Sequence, residues 1–259
     1  MTPAILVQRD GAIATVTLNR PERMNALNKV MWAGLGAAMR EFGADDSLRC
    51  IVLRGAGDKA FAAGADIAEF HAERADSKQA KAYGEGGIGW MHSVAECRHP
   101  TVALIQGACV GGGLLVASQC DLRICNESAR FGVPVKNLGL TESYDELQGM
   151  MRVIGPAASL EILLEGRIWG AREAYEKGLV SRVVPDASVV DEAYAAARRI
   201  ADGAPLVARW HKKFIRRLLD PRPLTPEERD EGYACFDTED FRNGVAAFLA
   251  KKKPEFKGR

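Results

Sequence analysis

TVALIQGACVGGGLLVASQCDLRIC, residues 101–125, decides the fold. From Thr101 to Cys120 no residue is charged. One unbroken helix of that length would span a membrane. The stretch is broken, however, by four glycines, carries two glutamines, a threonine and a serine, and follows Pro100. It reads instead as a buried strand over Thr101–Ile105, a turn at the glycines and a helix through LLVASQC. DLRIC is a further strand. A helix apolar on every side must be buried on every side, and a strand apolar on both faces belongs inside a layered α/β core.

Working outward, ILVQR, Asp10-Gly11 and AIATVTL predict a hairpin, because Asp-Gly tolerates the positive φ of a tight turn. Leu27, Val30, Met31, Leu35, Ala38, Met39 and Phe42 recur at helical spacing and predict an amphipathic helix. Residues 49–54 predict a short buried strand. FAAGADIAEF, 61–70, reads as a glycine-bearing turn that opens a helix. Residues 71–89 are polar and then glycine-rich, and predict a mobile loop or broken helix. From Gly155 the pattern turns helical, with stripes over 156–164, 171–177, 190–201, 207–218 and 241–249 around a strand in LVSRVV. Ser143-Tyr144-Asp145-Glu146 and Thr225-Pro226-Glu227-Glu228 both read as capping boxes. An α/β core with a helical C-terminal appendage results, divided at 1–200 and 201–259. No period passes as a sequence repeat.

Composition excludes several classes. The 259 residues are 47% hydrophobic and 27% charged, with a formal charge of +1. Nothing there suggests a nucleic-acid coat or a polybasic membrane binder. Six cysteines show no CxxC pair and no histidine at zinc spacing, so buried thiols in a reducing compartment are expected and no metal site is. MTPAILVQRDG lacks the features of a signal peptide, and the cytoplasm is the expected compartment.

Gly84–Gly89, GEGGIG, matches GxGxxG literally. A helix-flavoured segment rather than a strand precedes it, and no acid follows at ribose distance, so it is no dinucleotide fingerprint. GACVGGG lacks the Lys-Ser/Thr of a phosphate loop, and no GxSxG or HExxH occurs. Two segments do look chemical: Ala62–Asp66 and Gly107–Gly113. Each is a small-residue turn after a strand and before a helix. Small residues let a ligand approach the backbone, and a helix start leaves N–H groups unpaired. Two such turns side by side would aim two donors at one oxygen, as in an oxyanion hole. The competing reading is glycines that only permit tight packing.

FAAGADIAEF (61–70) and QGACVGGGLLVASQCDLRI (106–124), with NRPERMNAL (19–27), FGVPVKNLGL (131–140), AREAYEKGLVSRVV (171–184) and FRNGVAAFLAKKKPEFKGR (241–259), resemble the crotonase (enoyl-CoA hydratase/isomerase) superfamily in order and spacing. The resemblance implies a spiral of repeated ββα units. It implies a C-terminal helical region that builds homotrimers or dimers of trimers, and a coenzyme A thioester as substrate with no separate cofactor. By position it assigns the backbone N–H groups of Ala65 and Gly112 to the oxyanion hole. Arg23, Met24, Ala26, Ala63, Asp66, Ile67 and Val110 match the coenzyme A and acyl-binding segments. Lys251 and neighbouring lysines would reach a coenzyme A phosphate, from the same or an adjacent protomer, or simply end a solvated tail.

The sequence departs from the family at both carboxylates that hydratases use to grip water. Those positions are Leu115 and Val135. Glu142, Asp145 and Glu146 stand nearby as substitutes. The capping box takes Glu146 and the helix dipole takes Asp145, so Glu142 is the expected proton-transfer group. Glu69, His71, Tyr83, Glu85 and Trp90 are further candidates near the acyl pocket, none distinguished. Two readings stay open: an acyl-CoA enzyme with non-hydratase or atypical chemistry, and an acyl-CoA-binding protein that has lost catalysis.

Overall fold

Thr101–Ile105, buried along its whole length, forms the middle of a six-stranded sheet. The structure, a computed structural model, describes residues 3–259, apart from the side-chain surroundings of residue 71 and of residues 86–88; His71 as a site candidate therefore lies outside the described residues. The sheet runs β1 (Ile5–Asp10), β2 (Ile13–Leu18), β3 (Cys50–Gly55), then β5 (Thr101–Ile105), β7 (Leu122–Asn126) and β10 (Arg182–Val184). Only the β1–β2 hairpin is antiparallel; every other pair is parallel. A smaller sheet orders β4 (Ala60–Ala62), β6 (Ala108–Val110), β8 (Arg130–Gly132) and β9 (Trp169–Gly170).

The two sheets explain a repeat that the sequence hides. β3, β5 and β7 each lead within a few residues into a strand of the second sheet, and then into helix. Three ββα turns follow one another as a spiral. Their residues differ, so no period survives in the sequence; strand burial and the corner between the sheets do recur.

Both faces of the larger sheet are covered. Ile51, Leu53, Ala103 and Ile105 enter one apolar cluster, while Cys50, Val52, Val102 and Leu104 pack with Val189, Ala193, Ala196 and Ala197 in another. Alternate residues of a strand point to opposite faces, so a strand buried on both sides reads as a continuous apolar run. The first cluster takes in α1 (Lys29–Ala44), whose stripe Met31, Leu35, Met39 and Phe42 is buried and whose cap, Asn28, accepts from the Met31 N–H at 2.9 Å. The second lies beneath the helix Val189–Ala201.

After α1 come α2 (Phe70–Glu73), α3 (Ser77–Glu96), α4 (Gly112–Gln119), α5 (Tyr144–Glu165) and α6 (Ala171–Glu176). Then follow α7 (Val189–Ala201), α8 (Pro205–Arg217), α9 (Pro226–Glu231) and α10 (Glu239–Leu249). Two of these correct the sequence reading. Residues 77–89 belong to the continuous helix α3, capped by Asp76, rather than to a loop or broken helix. The apolar residues Met91 and Val94 are buried in the core and hold the helix to its neighbours, so packing overrides the glycines' poor propensity. The stretch over 156–164 is the second half of α5, which starts at Tyr144 and kinks where Gly155 takes φ 70° ahead of Pro156. The strand expected over LVSRVV is confined to Arg182–Val184.

Candidate active site

Two loops meet at the centre of the site. Leu27 N–H donates to the Gly64 carbonyl at 2.8 Å, Asp66 N–H to the Leu27 carbonyl at 2.9 Å, and Ala63 N–H to the Met24 carbonyl at 3.0 Å. The structure therefore brings Arg23, Met24 and Ala26 together with Ala63, Ala65, Asp66 and Ile67. A buried side chain that the sequence reading passed over pins them. Asn25 is inaccessible to solvent, accepts from the Arg20 N–H, and donates to the carbonyls of Ala56 and Ala60. An asparagine inside NRPERMNAL carries no signal that separates a clamp from a contact with ligand. Arg20 adds an ion pair to Asp66 at 2.9 Å and a hydrogen bond to the Ala26 carbonyl. Asp66 also caps the Ala68 N–H. With its carboxylate so employed, Asp66 has chiefly backbone to offer a ligand.

The zipper leaves Ala65 N–H facing away from Leu27. Among the described residues neither this N–H nor that of Gly112 donates to a protein acceptor. Gly64 allows the turn by adopting φ 104°, beside the Val110 carbonyl. Gly113 allows the close approach: a methyl there would lie 2.4 Å from the Ala62 carbonyl oxygen. A methyl added to Gly112 would lie 3.6 Å from Ala65 N and 3.4 Å from the Trp32 ring. The two unpaired amides thus border one small space, with Trp32 at its side and Gly112 at the N-terminus of α4.

That space opens into a cavity of about 220 Å³. Ala63, Ala65, Ile67, Val110 and Gly112 line it together with Leu115, Val135 and Glu142. Leu115 is fully buried. Neither Leu115 nor Val135 can exchange a proton, so Glu142 and Glu146 are the acids present. The capping box holds as expected: Glu146 accepts from Ser143 N–H at 2.8 Å and from its hydroxyl at 2.7 Å. Glu142 accepts no hydrogen bond from a described residue. Burial, reinforced by the Glu146 charge, pushes its pKa up to about 7, against a downward pull from Arg74. A carboxyl that titrates near neutrality can both take and return a proton.

Arg74 is the other residue that sequence reasoning missed. It stands just past α2, lines the cavity, and stacks 3.9 Å from the Tyr83 ring centroid and 4.6 Å from that of Phe70. No motif surrounds it in the sequence. Lys251 does not line it: it is exposed, just past the end of α10. Nor do Glu69, Glu85 or Trp90 line it. Among the described residues no group of three or more His, Cys, Asp and Glu side chains is placed to hold a metal. No helix there is long and apolar enough to cross a membrane.

A family model described as enoyl-CoA hydratase/isomerase matches residues 8–259, and the chain belongs to that family. It is similar, at 52% identity and a TM-score of 0.98, to an enoyl-CoA hydratase/carnithine racemase of Magnetospirillum magneticum, covering 100% of this chain and 97% of that one. A "Probable enoyl-CoA hydratase" of Rhizobium meliloti is 40% identical, with 98% of each chain covered. A "Short-chain-enoyl-CoA hydratase" of Clostridium acetobutylicum is 31% identical, again over 98% of each. The protein is an enzyme of the hydratase/isomerase family with the crotonase fold.

Proposed function

We propose that the protein forms an enolate from an acyl-CoA thioester, with the N–H groups of Ala65 and Gly112 holding the thioester oxygen and Glu142 moving the proton. The observation that carries this reading is that Glu142 lines the same cavity as the two unpaired amides. Two donors fixed in place stabilise the developing oxyanion without reorganising, and losing one such donor typically costs about 3–4 kcal/mol of barrier. The polarised thioester acidifies its α-carbon. Glu142, as the carboxylate, takes that proton and can return it at another carbon.

Leu115 and Val135 replace the pair that would position a water, which favours isomerisation or another enolate reaction over hydration. The short cavity suits a small acyl group, since pockets for larger ligands run to roughly 300–1,000 Å³. Coenzyme A would lie along Arg23, Met24 and Ala26 and the backbone of Ala63–Ile67, with Lys251 of an adjacent protomer as a phosphate contact. A cytoplasmic homotrimer or dimer of trimers is the expected form. Unbridged cysteines and exposed apolar side chains on the last helices support it.

The test is an acyl-CoA panel, with crotonyl-CoA included, followed by loss of the conjugated thioester absorbance and by product analysis. Calorimetry with coenzyme A gives binding separately. Turnover without hydration is expected. Rapid hydration of crotonyl-CoA contradicts the atypical chemistry. Binding without turnover of any thioester supports a lapsed enzyme instead, the reading that Leu115 and Val135 would then favour.

A further inference from the structure

We propose that the acyl group of the substrate carries its own carboxylate, and that Arg74 binds it; this rests on the acyl-CoA reading above. Arg74 is a cation in a cavity otherwise lined mainly by apolar side chains and backbone. Its ring partners, Tyr83 and Phe70, hold the guanidinium in place by cation–π stacking. Its Nε is buried with no hydrogen-bond partner.

The neighbouring acids do not neutralise it. Glu73 pairs with Lys29 at 2.8 Å, and Glu69 accepts from the Lys29 N–H at 3.0 Å. Glu146 is committed to Ser143. Glu142 feels the charge of Arg74 but forms no ion pair with it. Among the described residues Arg74 therefore has no carboxylate partner. A guanidinium whose buried Nε has no partner is incompletely satisfied, and a ligand anion is the complement that satisfies it.

The location says which part of the substrate supplies that anion. Arg23, Met24 and Ala26 lie beyond the cavity lining, whereas Arg74 shares the cavity with Leu115, Val135 and Glu142. On the acyl-CoA reading the coenzyme A moiety lies along the former, so the anion facing Arg74 is on the acyl chain. A guanidinium takes a carboxylate with two parallel N–H···O bonds. The substrate class is thus the half-thioester of a short dicarboxylic acid.

The full-length protein is tested with crotonyl-CoA as the neutral probe and with glutaconyl-CoA and methylmalonyl-CoA as carboxyl-bearing probes. Binding is measured by calorimetry and turnover by chromatography of the thioesters. We expect at least one carboxyl-bearing probe to bind about 10- to 100-fold more tightly than the neutral one, the range of a charge-assisted hydrogen-bond pair. Arg74→Met keeps the stacked bulk and removes the charge; it should collapse that ratio towards unity, and Arg74→Lys should restore part of it. Affinity for free coenzyme A reports on folding of the variants. Equal or tighter binding of crotonyl-CoA by the wild-type protein overturns this inference alone, as does a ratio that Arg74→Met leaves unchanged. Failure of the wild-type protein to bind any thioester overturns the acyl-CoA reading and this inference with it.

Discussion

Gly112 offers a single-atom test of the two amides. A methyl at this position would stand 3.6 Å from Ala65 N, where the thioester oxygen is expected. Gly112→Ala should therefore lower kcat by about 10²- to 10³-fold, the usual effect of spoiling one oxyanion donor. Circular dichroism should show the fold retained. Glu142 gives a second test, by pH. Its folded pKa of about 7 lies above the ordinary carboxyl value of 4.5. With Glu142 as the base, kcat/KM should rise with pH and level off above about 7, and Glu142→Gln should abolish turnover while sparing coenzyme A binding. The stability effect has the opposite sense. The folded chain holds the proton more tightly than the unfolded one, so Glu142's contribution is complete below pH 4.5 and is lost as pH rises through 7. Glu142→Gln should accordingly gain on wild type by up to about 3 kcal/mol at pH 8 relative to pH 4, measured by urea denaturation at both. The meeting of two unpaired amides at one cavity was legible where backbone chemistry writes itself as glycine and alanine, at Ala65 and Gly112. It was illegible at Asn25 and Arg74, whose roles depend on neighbours distant in the sequence.

Among the elements, α3 shows why local reading fell short. Gly84 and Gly89 argue against a helix taken alone, and a methyl at either meets nothing within 4 Å. Neither glycine is required by packing. Each costs the helix about 1 kcal/mol relative to alanine. Gly84→Ala and Gly89→Ala should each raise stability by about 0.5–1 kcal/mol, seen as a higher urea midpoint at unchanged m-value. Signals that act within four residues survived the passage to structure: both capping boxes form as read, at Ser143–Glu146 and Thr225–Glu228. The kink at Gly155 was half visible, since Gly-Pro marked a boundary but could not say that helix continued on both sides.

For the whole molecule, the last helices present more apolar surface than the chain alone covers. Phe248 is 82% exposed, Leu249 77% and Ile215 65%. Patches of this kind mark contact surfaces. Sedimentation should give three or six chains per particle, and Phe248→Asp should shift it towards the monomer while far-ultraviolet circular dichroism stays unchanged. The two-sheet spiral was legible only through the family likeness, because its repeats share burial and not residue identity.

The Asn25 clamp bears on heat inactivation. It ties the loop beside the cavity to β4 through a buried hydrogen bond, so that loop has little scope to fray while the sheet stands. Loss of catalysis and loss of secondary structure should consequently fall at one temperature in a single ramp. In Asn25→Ala the two curves should separate, with activity vanishing first.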